Sequence, residues 1–97
     1  MRSEPAVGDS GSGPPPPIEE RRWARIRWRC RRGLLENDIV LTRYLDSVAE
    51  RRIPEPELEA LDRLLDMNDN ALWDLLSARA DADDEEVQRL VRRLRSL

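Results

Sequence analysis

Residues 25–31 read Arg25-Ile26-Arg27-Trp28-Arg29-Cys30-Arg31, and the fold class turns on whether they form a strand or a helix. Their apolar residues alternate strictly, which is a strand pattern. No other stretch of the chain offers a strand to pair with it. Trp23, Ile26 and Cys30 also fall at helical spacing, arginine is a good helix former, and Gly33 stands where a helix C-terminus favours glycine. The segment is therefore predicted to be helical. In that register Trp23, Ile26 and Cys30 face the core. Trp28 points the other way, an exposed aromatic among arginines, and Trp with Arg is the composition enriched at interface hot spots.

Downstream the periodicity is less ambiguous. Leu34, Leu41, Leu45 and Val48 form one stripe with Tyr44 beside it, which predicts a second helix. Pro54 and Pro56 interrupt the chain and suit the first turn of a third, carrying Leu58, Leu61, Leu64 and Leu65. Asn68-Asp69-Asn70 reads as a turn and N-cap before a short apolar helix through Leu72, Trp73, Leu75 and Leu76. Asp83 with Glu86 three residues on resembles a capping box. The last helix places Val87, Leu90, Val91 and Leu94 on one face, with Arg92, Arg93 and Arg95 near its C-terminal end. The expected architecture is all-α: a compact bundle of about five short helices over residues 18–97. A Gly/Pro-rich tail over residues 1–17, ending in four prolines, has almost nothing to bury and is expected to be disordered. It lacks the apolar run of a secretory signal and the basic bias of a transit peptide.

Composition narrows the chemistry. The chain has 97 residues, all 17 of its basic residues are arginine, and it has no histidine and one cysteine. No imidazole is available as a general base or a zinc ligand. Cys30 alone makes neither an internal disulfide nor a thiolate cage, which suits a reducing compartment. No apolar run reaches the ~20 residues of a membrane span. The expectation is a cytoplasmic, monomeric protein that is not an enzyme. Charge is unevenly placed: residues 18–32 carry seven arginines against Glu19 and Glu20, whereas residues 33–97 carry nine arginines against sixteen carboxylates. A concentrated basic segment on an acidic body meets a polyanion, an acidic protein surface or the body's own carboxylates. Composition leaves all three open: a nucleic-acid-binding module, a protein-binding adaptor or a solvated face. The acidic runs 55–59 and 81–86 read more simply as helix-capping acids than as a calcium loop. Cys30 reads as a small buried apolar residue.

The sharpest local feature is Arg32-Gly33-Leu34-Leu35-Glu36, where glycine permits close backbone approach and Arg32 and Glu36 are expected to present opposite charges near one another. The longer stretch RIRWRCRRGLLENDIVLTRYLD, residues 25–46, resembles the small bacterial succinate dehydrogenase FAD-assembly factors. Their mitochondrial relatives are the flavinylation factors of respiratory complex II. The family's Arg-Gly-x-x-Glu is present as Arg32, Gly33 and Glu36, followed by the customary acid as Asp38. The resemblance extends to about Leu97 through Asp66-Met67-Asn68-Asp69. It departs where an aromatic is usual near the end of the fourth helix: Leu75 stands there, with Trp73 two positions earlier.

The resemblance implies a helper that binds the flavoprotein subunit of succinate dehydrogenase, with fumarate reductase as a second client. It would promote covalent FAD attachment by holding a competent client conformation. FAD is then the client's cofactor, and the helper itself holds none tightly and no metal. The implied partner-binding centre is Arg32, Gly33 and Glu36, with Arg25, Trp28, Arg31 and Asp38 added from their place on the same presumed face. Arg32 and Glu36 would make charge-assisted hydrogen bonds to the client.

Overall fold

The computed structural model describes residues 14–97. Five α-helices follow in order: α1 Glu20–Arg29, α2 Leu35–Ser47, α3 Glu55–Leu65, α4 Asp69–Leu76 and α5 Glu85–Arg95. A single 3-10 turn, Ala49–Arg51, lies between α2 and α3, and no strand occurs among the described residues. The expected all-α class and helix number hold. The first part of the predicted tail, residues 1–13, lies outside the described residues. Pro14 to Pro17 lie outside any helix, and Arg52 Nη1 donates to the Pro15 carbonyl at 2.7 Å.

Four of the five helices start for a local reason, whereas α2 follows Leu34 with no side-chain cap. The Glu19 carboxylate accepts from the backbone N–H groups of Arg21 and Arg22 and caps α1. Pro54 precedes α3, and Pro56 sits in its first turn, where a missing N–H costs nothing. The Asn68 side chain accepts from Ala71 N and caps α4. At α5 the cap is Asp84, not Asp83 as predicted: one Asp84 oxygen takes the N–H groups of Glu86 and Val87. The Glu86 side chain turns to Arg89 instead of closing a capping box.

The core gathers Leu41, Tyr44, Leu61, Leu64, Leu72, Val91 and Leu94, all essentially excluded from solvent. The closest helix pairs are α3 with α5, α2 with α4, α4 with α5 and α2 with α5. In α1, Ile26 and the capping Cys30 are buried, Trp23 is half-buried and Trp28 is 70% exposed, as the helical register required. In α2 the stripe differs from expectation. Asn37, Leu41 and Tyr44, at i, i+4 and i+7, are the fully buried residues, whereas Leu34, Leu45 and Val48 are only half-buried. The helix is turned to bring Asn37 and Tyr44 to polar partners from other helices. The Tyr44 hydroxyl donates to Glu57, and Arg93 reaches the same carboxylate at 3.2 Å while lying over the Tyr44 ring. Burial and the adjoining Glu57 carboxylate together push the Tyr44 hydroxyl's pKa well upward.

Candidate functional site

The link between α1 and α2 is built on one carboxylate. Asp69, the first residue of α4, receives Arg32 Nε at 2.8 Å and Asn37 Nδ2 at 3.1 Å on one oxygen, and Leu34 N at 3.0 Å on the other. These hydrogen bonds, the Arg32 one foremost, hold its pKa at about 2. The Arg32 guanidinium also donates to the carbonyls of Leu65, at 3.1 Å, and Met67. The Leu65 carbonyl that ends α3, the Met67 carbonyl in the turn beyond it and the first-turn acid of α4 are groups that a helix end leaves electronegative or wants negative. A planar fork with five donors serves them at once. On the other side of the link, Asp38 accepts from the Arg32 backbone N–H at 3.1 Å. Asn37, wholly buried, also donates to the Asp69 carbonyl at 3.0 Å, and its own side-chain oxygen has no partner among the described residues.

Gly33 rides on this clamp, exposed. Its φ is not in the left-handed region, and an added Cβ would meet nothing closer than Asp69 Oδ2 at 3.5 Å. It does not cap α1 as the sequence suggested, since Cys30 occupies that position. The fold therefore does not require glycine there. What glycine supplies is a bare patch of backbone facing outward on a rigid support.

The predicted site residues divide accordingly. Arg32, Gly33 and Asp38 converge on the clamp. Arg32 is mostly covered, its side chain 12% exposed. Arg32 and Glu36, expected to present opposite charges near one another, form no ion pair among the described residues, and the Arg32 guanidinium is spent on Asp69 and the Leu65 and Met67 carbonyls. Glu36 is exposed, with no side-chain hydrogen bond among the described residues. Arg31 is exposed and lies over the Trp28 ring, 5.3 Å from its centroid. Arg25 stands apart, lining a groove between α1 and α3. The sequence reading missed Asp69 and Asn37 as members of the clamp. It also missed Leu35, 65% exposed, and Ile39, 41% exposed, one turn apart on the outer side of α2. The signal for that pair was available: two apolar residues at i, i+4 opposite the Asn37–Leu41–Tyr44 stripe. Cys30 is 2% exposed and burial pushes its thiol up to about 11, so it behaves as a packed apolar residue.

A small helical body displaying bare backbone, an aromatic–arginine pair and exposed apolar side chains has the surface groups that protein interfaces use. The family model described as Sdh5, flavinator of succinate dehydrogenase, matches residues 24–97, and the chain belongs to that family. Among its relatives, the FAD assembly factor SdhE of Ralstonia nicotianae is 43% identical over 65 residues, which cover 67% of each chain. That of Coxiella burnetii is 36% identical over 73 residues, 75% of this chain and 88% of the relative. That of Methylococcus capsulatus is 38% identical over 73 residues, 75% and 87% of the two chains. No solved structure gives a significant match.

Proposed function

We propose that this chain is an FAD assembly factor that binds the flavoprotein subunit of succinate dehydrogenase and promotes covalent attachment of its flavin. Family membership supports the activity, and the exposed Gly33 on its clamp supports the site. A glycine that the fold does not need leaves room for another backbone to approach. Trp28, Arg31, Leu35 and Glu36 then frame the contact with an aromatic, a cation, an aliphatic and an acid. Of the residues first assigned to the client, Arg32 and Asp38 act behind the surface: they shape the loop rather than touch the partner.

The chemistry belongs to the client, whose own residues and FAD form the bond. The factor's contribution is to bind one arrangement of the flavoprotein better than the others. A bound ligand shifts a conformational equilibrium only by its differential affinity for the two states, and correct positioning alone is worth several kcal/mol in an intramolecular reaction. FAD enters as the client's cofactor, with no residue of this chain assigned to hold it. Fumarate reductase as a second client, a monomeric state and a cytoplasmic location complete the proposal, with residues 18–97 as the working domain. No helix among the described residues is long and apolar enough to cross a membrane.

The test is Gly33→Arg. The variant is expected to keep its helicity and thermal midpoint, because an added Cβ meets its nearest atom, Asp69 Oδ2, only at an ordinary contact distance of 3.5 Å, and to lose capture of the flavoprotein subunit. Normal covalent flavin in cells carrying only this variant would overturn the proposal. The nucleic-acid reading of the arginine segment makes the opposite prediction: a salt-dependent gel shift that Gly33→Arg leaves intact.

A further inference from the structure

A second surface lies between α1 and α3, away from Trp28. Here an open groove of about 510 Å³ runs along the two helices, floored by the edges of Ile26, Leu58, Leu61 and Leu65. Its α1 wall is Arg22, Arg25, Ile26 and Arg29, the i, i+3, i+4, i+7 stripe of one helix face. Trp28 is two residues from Ile26, about 200° around the helix, and so belongs to a different side.

The arginines of the wall are not equivalent. Arg29 is neutralised by Asp62 and by Asp66, at 2.7 Å from the latter. Arg63, on the opposite wall, pairs with Asp84 at 2.7 Å. Arg22 and Arg25 are exposed and, among the described residues, form no ion pair and no side-chain hydrogen bond. Glu59 is the carboxylate of the lining left in the same condition. The groove thus offers two unspent guanidinium groups one turn apart, above an apolar floor and against a single unspent acid. That is the complement of a chain segment carrying carboxylates and an aliphatic side chain, since guanidinium binds carboxylate bidentately and tolerates partial desolvation.

We propose that this groove is a second docking surface for the flavoprotein client, taking an acidic segment of that protein with Arg22 and Arg25 on its carboxylates and an aliphatic side chain on the Ile26–Leu58–Leu61–Leu65 floor. It rests on the assembly-factor reading and adds to it a contact on a face of α1 other than that of Trp28. Exposed charges at the edge of an interface act mainly by speeding encounter, and their effect is screened by salt.

The experiment titrates the full chain into the isolated flavoprotein subunit of succinate dehydrogenase, before covalent flavin attachment, at low and at high salt. Arg22→Glu combined with Arg25→Glu keeps the fold, checked by circular dichroism, because neither side chain has a partner to lose among the described residues. The expected result is an affinity weakened about tenfold at low salt, with a flatter salt dependence than the wild type. Gly33→Arg, run beside it, abolishes binding with the groove unchanged. Wild-type affinity and salt dependence in the double variant, with binding still lost in Gly33→Arg, would overturn the groove and leave the assembly role standing. No binding by the wild-type chain would remove both. Sedimentation of the same proteins covers the other occupant: a wild-type dimer that the double variant dissolves, at unchanged client affinity, would assign the groove to a second copy of this chain and overturn the inference.

Discussion

Arg31 and Arg32 are neighbours with opposite employment. Arg31 is exposed, its guanidinium lying over the equally exposed Trp28. Arg32 is folded inward, where it joins the end of α3 to the start of α4 through Asp69 and two carbonyls. The contrast extends along α1: Arg29 is spent on Asp62 and Asp66, while Arg22 and Arg25 have no partner among the described residues. Residue type does not separate arginines that hold this protein together from those left for a partner. The direction each side chain takes does: Arg32, turned inward, reaches two carbonyls and a first-turn acid and is consumed by the fold, whereas Arg22, Arg25 and Arg31, turned to water, form no ion pair among the described residues.

The sharpest way to break that distinction is Arg32→Ala. It strips the donors from the Leu65 and Met67 carbonyls and leaves Asp69 without its principal partner in a half-covered setting. Losing hydrogen bonds of this kind, with a charge left behind, is expected to cost about 2–3 kcal/mol. In a chain of this size the midpoint then falls by roughly 10 °C or more. Arg31→Ala at the adjacent position is expected to move stability by less than about 0.5 kcal/mol, as exposed substitutions do. Equal effects in thermal melts would show that the inward and outward roles are not distinct.

Asp69 supplies a second test, through pH. Its folded-state pKa is lowered from the ordinary 3.8 to about 2. Below pH ~4 the unfolded chain takes up a proton there that the folded chain refuses, so stability falls as the solution is acidified. The contribution is fully present above pH ~4 and is lost as pH drops through 4 toward 2. Asp69→Asn keeps the shape but not the titration. Its thermal midpoint is expected to lie below the wild type's near neutrality and to converge on it by about pH 2. Parallel curves across that range would mean that the Asp69 charge does not organise the link.

Much of the fold was legible along the chain because its causes are local. The leucine periods of α3 and α5, the prolines before and within α3, and Asn68 as a cap act within one or two turns. The apolar alternation of residues 25–31 is set aside for a helix, and α1 is one. An in-and-out pattern of burial does run through the link itself: Cys30 is buried, Arg31 exposed, Arg32 covered, Gly33 exposed, Leu34 half-buried and Leu35 exposed. What the sequence could not display is the clamp, because Arg32 and Asp69 are 37 positions apart and no spacing rule connects them. Asn37 is illegible for the same reason. A buried amide has no pattern of its own, and only its Asp69 partners explain its place.

The smallest expected effect on stability divides the five-residue motif itself. From the sequence, Arg32 and Glu36 are expected to present opposite charges near one another, both turned to the client. In the structure Arg32 is engaged from behind and Glu36 has no side-chain partner among the described residues, although it sits in the first turn of α2, where a negative charge is mildly favourable. Glu36→Gln is therefore expected to cost no more than a few tenths of a kcal/mol, from that helix-end interaction alone. Its melting curve should nearly overlay the wild type's. If Glu36 is reserved for the client, the same substitution weakens capture of the flavoprotein subunit, because a partner's donor loses a charge-assisted bond. A variant that melts lower and binds normally would reverse the assignment: Glu36 would then serve the fold, and the outward face would reduce to Gly33, Trp28, Arg31 and Leu35. The two readouts must therefore be taken on the same preparation, since affinity lost together with stability would argue for neither role.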